Sequence, residues 1–340
     1  MNIIIGTSLL ILVLAIFTLF NYKAPYGTKA MGALASAACA SFLVEAFQDS
    51  FFGKVLGFQF LSEVGGANGS LSGVAAAILV TIAIGVTPGY AVLIGLSVSG
   101  TGIIPGFLAG YLVGFLVKWM ERNIPGGLDL ISIIIIGAPL TRLVAKLLTP
   151  LINSTLLTIG DILTSGAHSN PILMGIILGG TIVVVATAPL SSMALTAMLG
   201  LTGMPMAIGA LSVFGSSFMN GVLFHKLKLG SRKDNIAFAV ELLTQADVTS
   251  ANPIPIYVTN FVGGAACGIL IALMKLVNDT PGTATPIAGF AVMFAYNPMI
   301  KVLITALGCI ILSLLAGYFG GIVFKDYKLV TKEELQARDN

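Results

Sequence analysis

The chain has 340 residues, 56% of them hydrophobic and only 9% charged, and a soluble domain of that length has too little interior to hide so much apolar surface. Repeated apolar runs almost free of charge specify an all-α polytopic membrane protein. The net charge of +3 comes from basic residues grouped in short loops, which reads as a set of orientation signals and gives no reason to expect a nucleic-acid partner.

The first run, Ile3 to Phe20, lacks a basic leading region and a small-residue cleavage site, so it reads as a retained helix. A second helix is expected from Thr28 to Phe47, rich in the small residues that let helices pack closely in lipid. Gln48 to Gly69 reads as an interfacial or loop segment, with GGANGS (Gly65 to Ser70) as a flexible turn. Ser70 to Val86 is a short helix ended by Pro88-Gly89, and Ala91 to Gly102 is another segment too short to span. A helix from Pro105 to Trp119 closes on Lys118, Trp119 and Arg122, a boundary signature. Leu128 to Leu148 carries Arg142 and Lys146 one turn apart. Such charges cost roughly 2.5–3.5 kcal/mol each at a helix centre, so they snorkel to an interface or face a wet interior. Pro150 is expected to start a separate short helix, with Asp161 and His168 solvated around the turn GAHSN.

The stretch Pro171 to Lys228 holds the strongest local signals. Pro171 to Ala188 is an apolar helix, followed by the break Pro189-Leu190-Ser191-Ser192. Met193 to Leu201 is a half-length helix, and Pro205 opens a third segment to Phe224. Lipid cannot satisfy the backbone freed at such breaks, so the pattern predicts a re-entrant helical hairpin lining a wet cavity. The loop KLKLGSRKDN, with Lys226, Lys228, Arg232 and Lys233, is expected to be cytoplasmic. Asn235 to Ala246 is moderately apolar, and Asp247 to Tyr257, with two prolines, shows no helical pattern. Ile256 to Leu276 spans. NDTPGTATP is a polar turn, Ile287 to Pro298 is too short to span, and Lys301 to Phe324 is the last helix. About 8–10 spanning segments result, divided as a first helix and loop (1–27), a transport-type membrane domain (28–324) and a charged tail expected in the cytoplasm (325–340).

Candidate binding groups are those with hydrogen-bonding side chains beside breaks. Ser191 and Ser192 follow the hairpin proline; the competing role is bonding back to a helix carbonyl. Asn220 lies in an apolar helix, where interhelix bonding competes. His225 ends that helix beside cytoplasmic lysines. Glu241 and Gln245 share a helical face, and Asn252 precedes Pro253 in irregular backbone. The three cysteines, Cys39, Cys267 and Cys309, are isolated within apolar runs, so neither a metal site nor a disulfide framework is expected, and no cofactor is called for.

The run GIIPGFLAGYLVGFLVKWMERNIPGGLD resembles a recurrent segment of enzyme IIC, the membrane subunit of the sugar phosphotransferase system, in its fructose-type members. APLSSMALTAMLGLTGMPMAIGALSVFGSSFMNGVLFHK resembles a divergent, perfringolysin-regulator-like branch of that family. The similarity runs from about Lys29 to Pro298. It implies a homodimer in the bacterial inner membrane that binds a sugar among re-entrant hairpins. The resemblance further implies that separate soluble phosphocarrier subunits phosphorylate the sugar. A glutamate common on a late hairpin of that family has its counterpart at Gln245 in LTQADVTSANPIP, with Glu241 one turn earlier, while GGTIVVVATAPLSS carries no carboxylate. These departures keep two other readings open: a membrane sensor or regulator with the same fold, and an ion-coupled carrier with Glu241 as the titrating group.

Overall fold

The computed structural model describes residues 2–188, 192–240 and 242–334. Among the described residues there is no strand. The helices are α1 (Asn2–Lys23), α2 (Gly27–Ala38), α3 (Gln59–Ser70), α4 (Ser72–Ala83), α5 (Pro88–Leu96), α6 (Ile103–Asn123), α7 (Leu128–Ser132), α8 (Ala138–Ser169) and α9 (Pro171–Thr187). The remainder are α10 (Ser192–Met198), α11 (Gly203–Leu227), α12 (Arg232–Val240), α13 (Ala246–Ala251), α14 (Pro253–Leu273), α15 (Pro286–Val292) and α16 (Met299–Val323). Six helical stretches are long and apolar enough to cross a bilayer, or seven if α3 and α4, bent by 49° at their junction, make one broken span. Shorter apolar helices, Ile11–Lys23, Pro171–Thr187 and Pro286–Ala295, supplement them. On α16 the exposed residues Ile300, Leu303, Ile304, Leu307, Ile311 and Leu314 recur at helical spacing, which is the pattern of a lipid-facing surface.

Close helix packing comes from small residues. Gly175 and Gly179 of α9 face Gly268 and Gly264 of α14, and a Cβ on any of the four would run into backbone of the other helix. Each helix thus carries a G-x-x-x-G pair, which lets backbones approach where lipid offers no hydrophobic drive for association. Asn220 of α11 and Asn260 of α14, both fully buried, exchange reciprocal amide bonds of 2.9 and 2.8 Å.

Three sequence expectations are corrected. Gln48 to Gly69 is helical: a π-helical stretch, Ala46–Val55, turns at Gly57 (φ +81) and returns as α3. Gly65 serves close approach, since a Cβ there would meet the Asp49 backbone. Pro150 lies inside α8 and starts no separate helix; the Thr149 hydroxyl beside it bonds the Ala145 carbonyl at 2.7 Å. Asp247 to Tyr257 also contains helix. The Asn252 side chain donates to the Val248 carbonyl at 2.9 Å at the end of α13, and Pro253 occupies the first turn of α14, where a missing N–H costs nothing.

The half-buried cations find backbone acceptors. Arg142 donates to the carbonyls of Ser97 and Ser99 (3.3 and 2.5 Å), beyond the end of α5. Lys118 donates to the Ile84 carbonyl (2.5 Å) where α4 stops. Each cation sits at the C-terminal end of a short helix, where unpaired carbonyls and the helix dipole favour positive charge. Lys146 is exposed.

Candidate solute cavity

The breaks after α9 and before α15 are joined. The Ser192 hydroxyl, at the start of α10, donates to the Ala284 carbonyl at 2.7 Å. Asn278, fully buried, shapes the loop that carries Ala284: its Oδ1 accepts from Thr280 N–H (2.9 Å) and its Nδ2 donates to Thr283 Oγ1 (2.8 Å). The Asn278 N–H donates to the Gly203 carbonyl at the start of α11, and Gly203 N–H donates to the Asp279 carboxylate, both at 2.9 Å. A half-length helix and a polar loop therefore form one hydrogen-bonded wall.

That wall closes one side of a cavity of about 440 Å³. Ala197 of α10 and Thr280 and Pro281 of the loop line it. The N-terminal part of the chain lines the remainder, with Phe42 and Glu45 beyond α2, Ser72 of α4, the first turn of α6 and Asn153 of α8. The first turn of a helix offers unpaired N–H groups and the positive end of its dipole. Glu45 is half-buried in the stretch Gly27–Lys54, a candidate span. Among the described residues its carboxylate has no hydrogen-bond partner. One turn away, Asp49 is fully engaged, accepting from Lys54 Nζ at 2.7 Å and from the Ser62 hydroxyl. A membrane-embedded carboxylate is costly; Asp49 is balanced, whereas the Glu45 carboxylate has no hydrogen-bond partner among the described residues and lies against Gly69 near the end of α3, with Glu45 among the residues that line the cavity.

The structure distributes the sequence-derived candidates differently. Ser191 and Glu241 lie outside the described residues. None of the other five lines this cavity. Ser192 is engaged with Ala284, and Asn220 with Asn260. His225 is exposed near the end of α11. Gln245 and Asn252 are brought together by the tail: Gln245 Oε1 accepts from Lys332 Nζ at 2.8 Å, and the Asn252 amide exchanges two 2.8 Å bonds with the Val330 backbone. Their segment does reach the hairpin, since the Thr249 hydroxyl donates to the Thr187 carbonyl, at the end of α9, at 2.6 Å. Glu45, Asn153 and Thr280 escaped the sequence reading. The signal available for Glu45 was a carboxylate inside the predicted second helix, a placement that marks function by its cost.

Among the described residues no group of three His, Cys, Asp or Glu side chains is placed to hold a metal ion. Comparison with curated proteins and with solved structures finds no match. A family model, described as phosphotransferase system, EIIC, matches residues 28–337. With broken helices around a cavity and a family match over most of its length, the chain belongs to the EIIC family of the phosphotransferase system, the membrane permease components through which sugar passes while other components carry the phosphoryl group.

Proposed function

We propose that the cavity beside α10 is the sugar site and that Glu45 is its principal acceptor of sugar hydroxyls. The observation that carries this reading is a half-buried carboxylate with no hydrogen-bond partner among the described residues, on a residue that lines the cavity. Its volume of about 440 Å³ lies within the range of small-molecule sites, roughly 300–1,000 Å³. A sugar presents hydroxyl donors to a carboxylate and C–H faces to apolar surface. Phe42 and Pro105 supply the second, while Ser72, Asn153 and Thr280 add neutral polar groups.

In this reading the subunit works as a homodimer in the bacterial inner membrane, and soluble phosphocarrier subunits phosphorylate the sugar on the cytoplasmic side. The basic loop after α11 and the tail support a common side for both, because Lys332 N–H donates to the Leu229 carbonyl at 3.0 Å, and clustered Lys and Arg favour the cytoplasm. The test is a thermal-stabilisation screen of the purified protein over sugars, sugar acids and nucleosides, repeated on Glu45→Gln, since a bound ligand raises the melting temperature by mass action. Stabilisation by a sugar that Glu45→Gln abolishes is the expected result; equal stabilisation of both proteins removes Glu45 from the site. Phosphoenolpyruvate-dependent phosphorylation of that sugar in vesicles, with the phosphocarriers present, tests the coupling.

The same unpaired Glu45 favours a second reading, an ion-coupled carrier in which this carboxylate takes up a proton. Uptake that survives collapse of the proton and sodium gradients excludes it.

A further inference from the structure

The tail is bound to the membrane domain residue by residue. Val330 N–H donates to Asn252 Oδ1, and Asn252 Nδ2 donates to the Val330 carbonyl, both at 2.8 Å, so one amide side chain satisfies both backbone polar groups of Val330. Lys332 N–H donates to the Leu229 carbonyl at 3.0 Å. Its ammonium donates to Asp234 at 2.6 Å and to Gln245 at 2.8 Å. Leu329 packs on the main hydrophobic cluster. Three of these bonds end on Gln245 and Asn252, the two ends of one segment, and both residues are almost completely buried.

That segment is also joined to the break in the transport region. Thr249, at its middle, donates to the Thr187 carbonyl at 2.6 Å, and both residues are fully buried. Thr187 ends α9. Five positions on, α10 begins at Ser192, which is anchored to the Ala284 loop, and its Ala197 lines the cavity. The bonds of Lys332 to Gln245 and of Val330 to Asn252, the segment between those two residues, and the Thr249–Thr187 bond thus link the tail to the end of α9, five positions before α10 begins. The carboxylate that clasps Lys332 is held in its charged form, with the Asp234 pKa drawn down to about 2 by the ammonium and by Ser231.

We propose that Val330 and Lys332 are positioning residues for transport: they hold the Gln245–Asn252 segment in place, and through Thr249 that segment sets the end of α9 and the α10 wall of the cavity. A clasp made in one conformation and absent from another biases the balance between them by its own differential free energy. Lys332 then acts on the cavity without touching it. The proposal uses the cavity only as a place to read from, so a failure of Glu45 as the sugar acceptor leaves it standing.

The test uses full-length protein in proteoliposomes with two reporter substitutions, Ala251→Cys in the clasped segment and Ala197→Cys in the cavity wall. N-ethylmaleimide labelling rates are read peptide by peptide by mass spectrometry, so the native cysteines stay. Lys332→Ala, and separately a chain ending at Lys328, are expected to change the rates at both reporters by about fivefold or more, the size of an ordinary coupling between sites. Lys332→Arg keeps donors for Asp234 and Gln245 and is expected to retain the parent rates. An unchanged rate at Ala251→Cys in Lys332→Ala overturns the clasp. A changed rate there with an unchanged rate at Ala197→Cys overturns the positioning role and makes the tail a local tether.

Discussion

Glu45 and Asp234 are both carboxylates next to irregular structure, and the molecule treats them oppositely. Asp234 accepts from Lys332 Nζ at 2.6 Å, from Ser231 N–H at 2.9 Å and from the Ser231 hydroxyl at 2.5 Å. Glu45 accepts nothing among the described residues, although a matching neighbour, Asp49, takes both Lys54 and Ser62. Four buried amides fall on the satisfied side with Asp234. Asn220, Asn252, Asn260 and Asn278 are buried and each is bonded to protein. Buried polar groups that satisfy one another specify a conformation, because any other arrangement strands a donor or an acceptor. A carboxylate left without protein partners at a cavity has its bonding capacity free for what enters. Partnering, more than polarity, separates Asp234 from Glu45.

The largest effect is expected where a partner is missing. Glu45→Gln keeps the size of the side chain and removes the charge. Hydrogen bonds to a charged group are worth about 1.5–3 kcal/mol, so the affinity for the stabilising sugar is expected to fall roughly 10- to 100-fold. The thermal unfolding temperature without sugar is expected to hold or rise, because the substitution removes an uncompensated charge from the membrane. Titration calorimetry against the sugar found in the stabilisation screen measures the first quantity. A fall in unliganded stability with unchanged affinity would break the contrast.

Next in size is the Asn220–Asn260 pair. Removing one amide strands the other in a buried site, which costs about 1–3 kcal/mol. Asn220→Leu and Asn260→Leu are each expected to destabilise the protein by that amount. The double substitution is expected to cost less than the two single costs added together, since it leaves no orphan. Denaturation of the four proteins in mixed micelles gives the cycle; strict additivity would mean that the amides do not support one another.

Much of the fold was legible because its signals are local. Pro171, Pro189 and Pro205 mark α9, the break and the start of α11, and the half-length segment between them appears as α10. Gln48 to Gly69 was not legible as helix, because Gly65 matters through its approach to Asp49 and not through its own backbone preference. Gln245 and Asn252 read as site candidates because their partners, Lys332 and Val330, lie 87 and 78 positions away, where no periodicity connects them. Sequence shows that a residue is polar and set in an apolar run; whether it is satisfied is decided by tertiary contacts. Glu45 and Asn220 look alike at the first level and part only at the second.

Smaller still is the expected effect of Ser192→Ala. It deletes one neutral bond to the Ala284 carbonyl, worth about 0.5–1.5 kcal/mol, and loosens the loop that presents Thr280. Stability is expected to drop by about 1 kcal/mol, with sugar affinity falling only a few-fold. An affinity loss as large as that of Glu45→Gln would move Ser192 from the wall into the site.

The smallest effect within the usual pH range belongs to Asp234. Its pKa lies at about 2 against an ordinary 3.8, lowered first by the hydrogen bond from Lys332 and then by Ser231. A depressed carboxylate pKa contributes stability that is fully present above the ordinary value and is lost as pH falls through the depressed one. Tail docking is therefore expected to be flat from pH 7 to about 5, to weaken below about 4 and to lose its Asp234 contribution near 2. At pH 3 the loss is about 1 kcal/mol or less, since Asp234 is partly exposed and solvent screens the pair. Hydrogen exchange at the amides of Val330 and Lys332, both bonded to the membrane domain, reads docking directly once the intrinsic pH dependence of exchange is divided out. Asp234→Asn is expected to give weaker protection at pH 7 that no longer changes between pH 5 and 3. Protection in the parent protein that falls already between pH 7 and 5 would assign the clasp to a different titrating group and remove Asp234 from the comparison with Glu45.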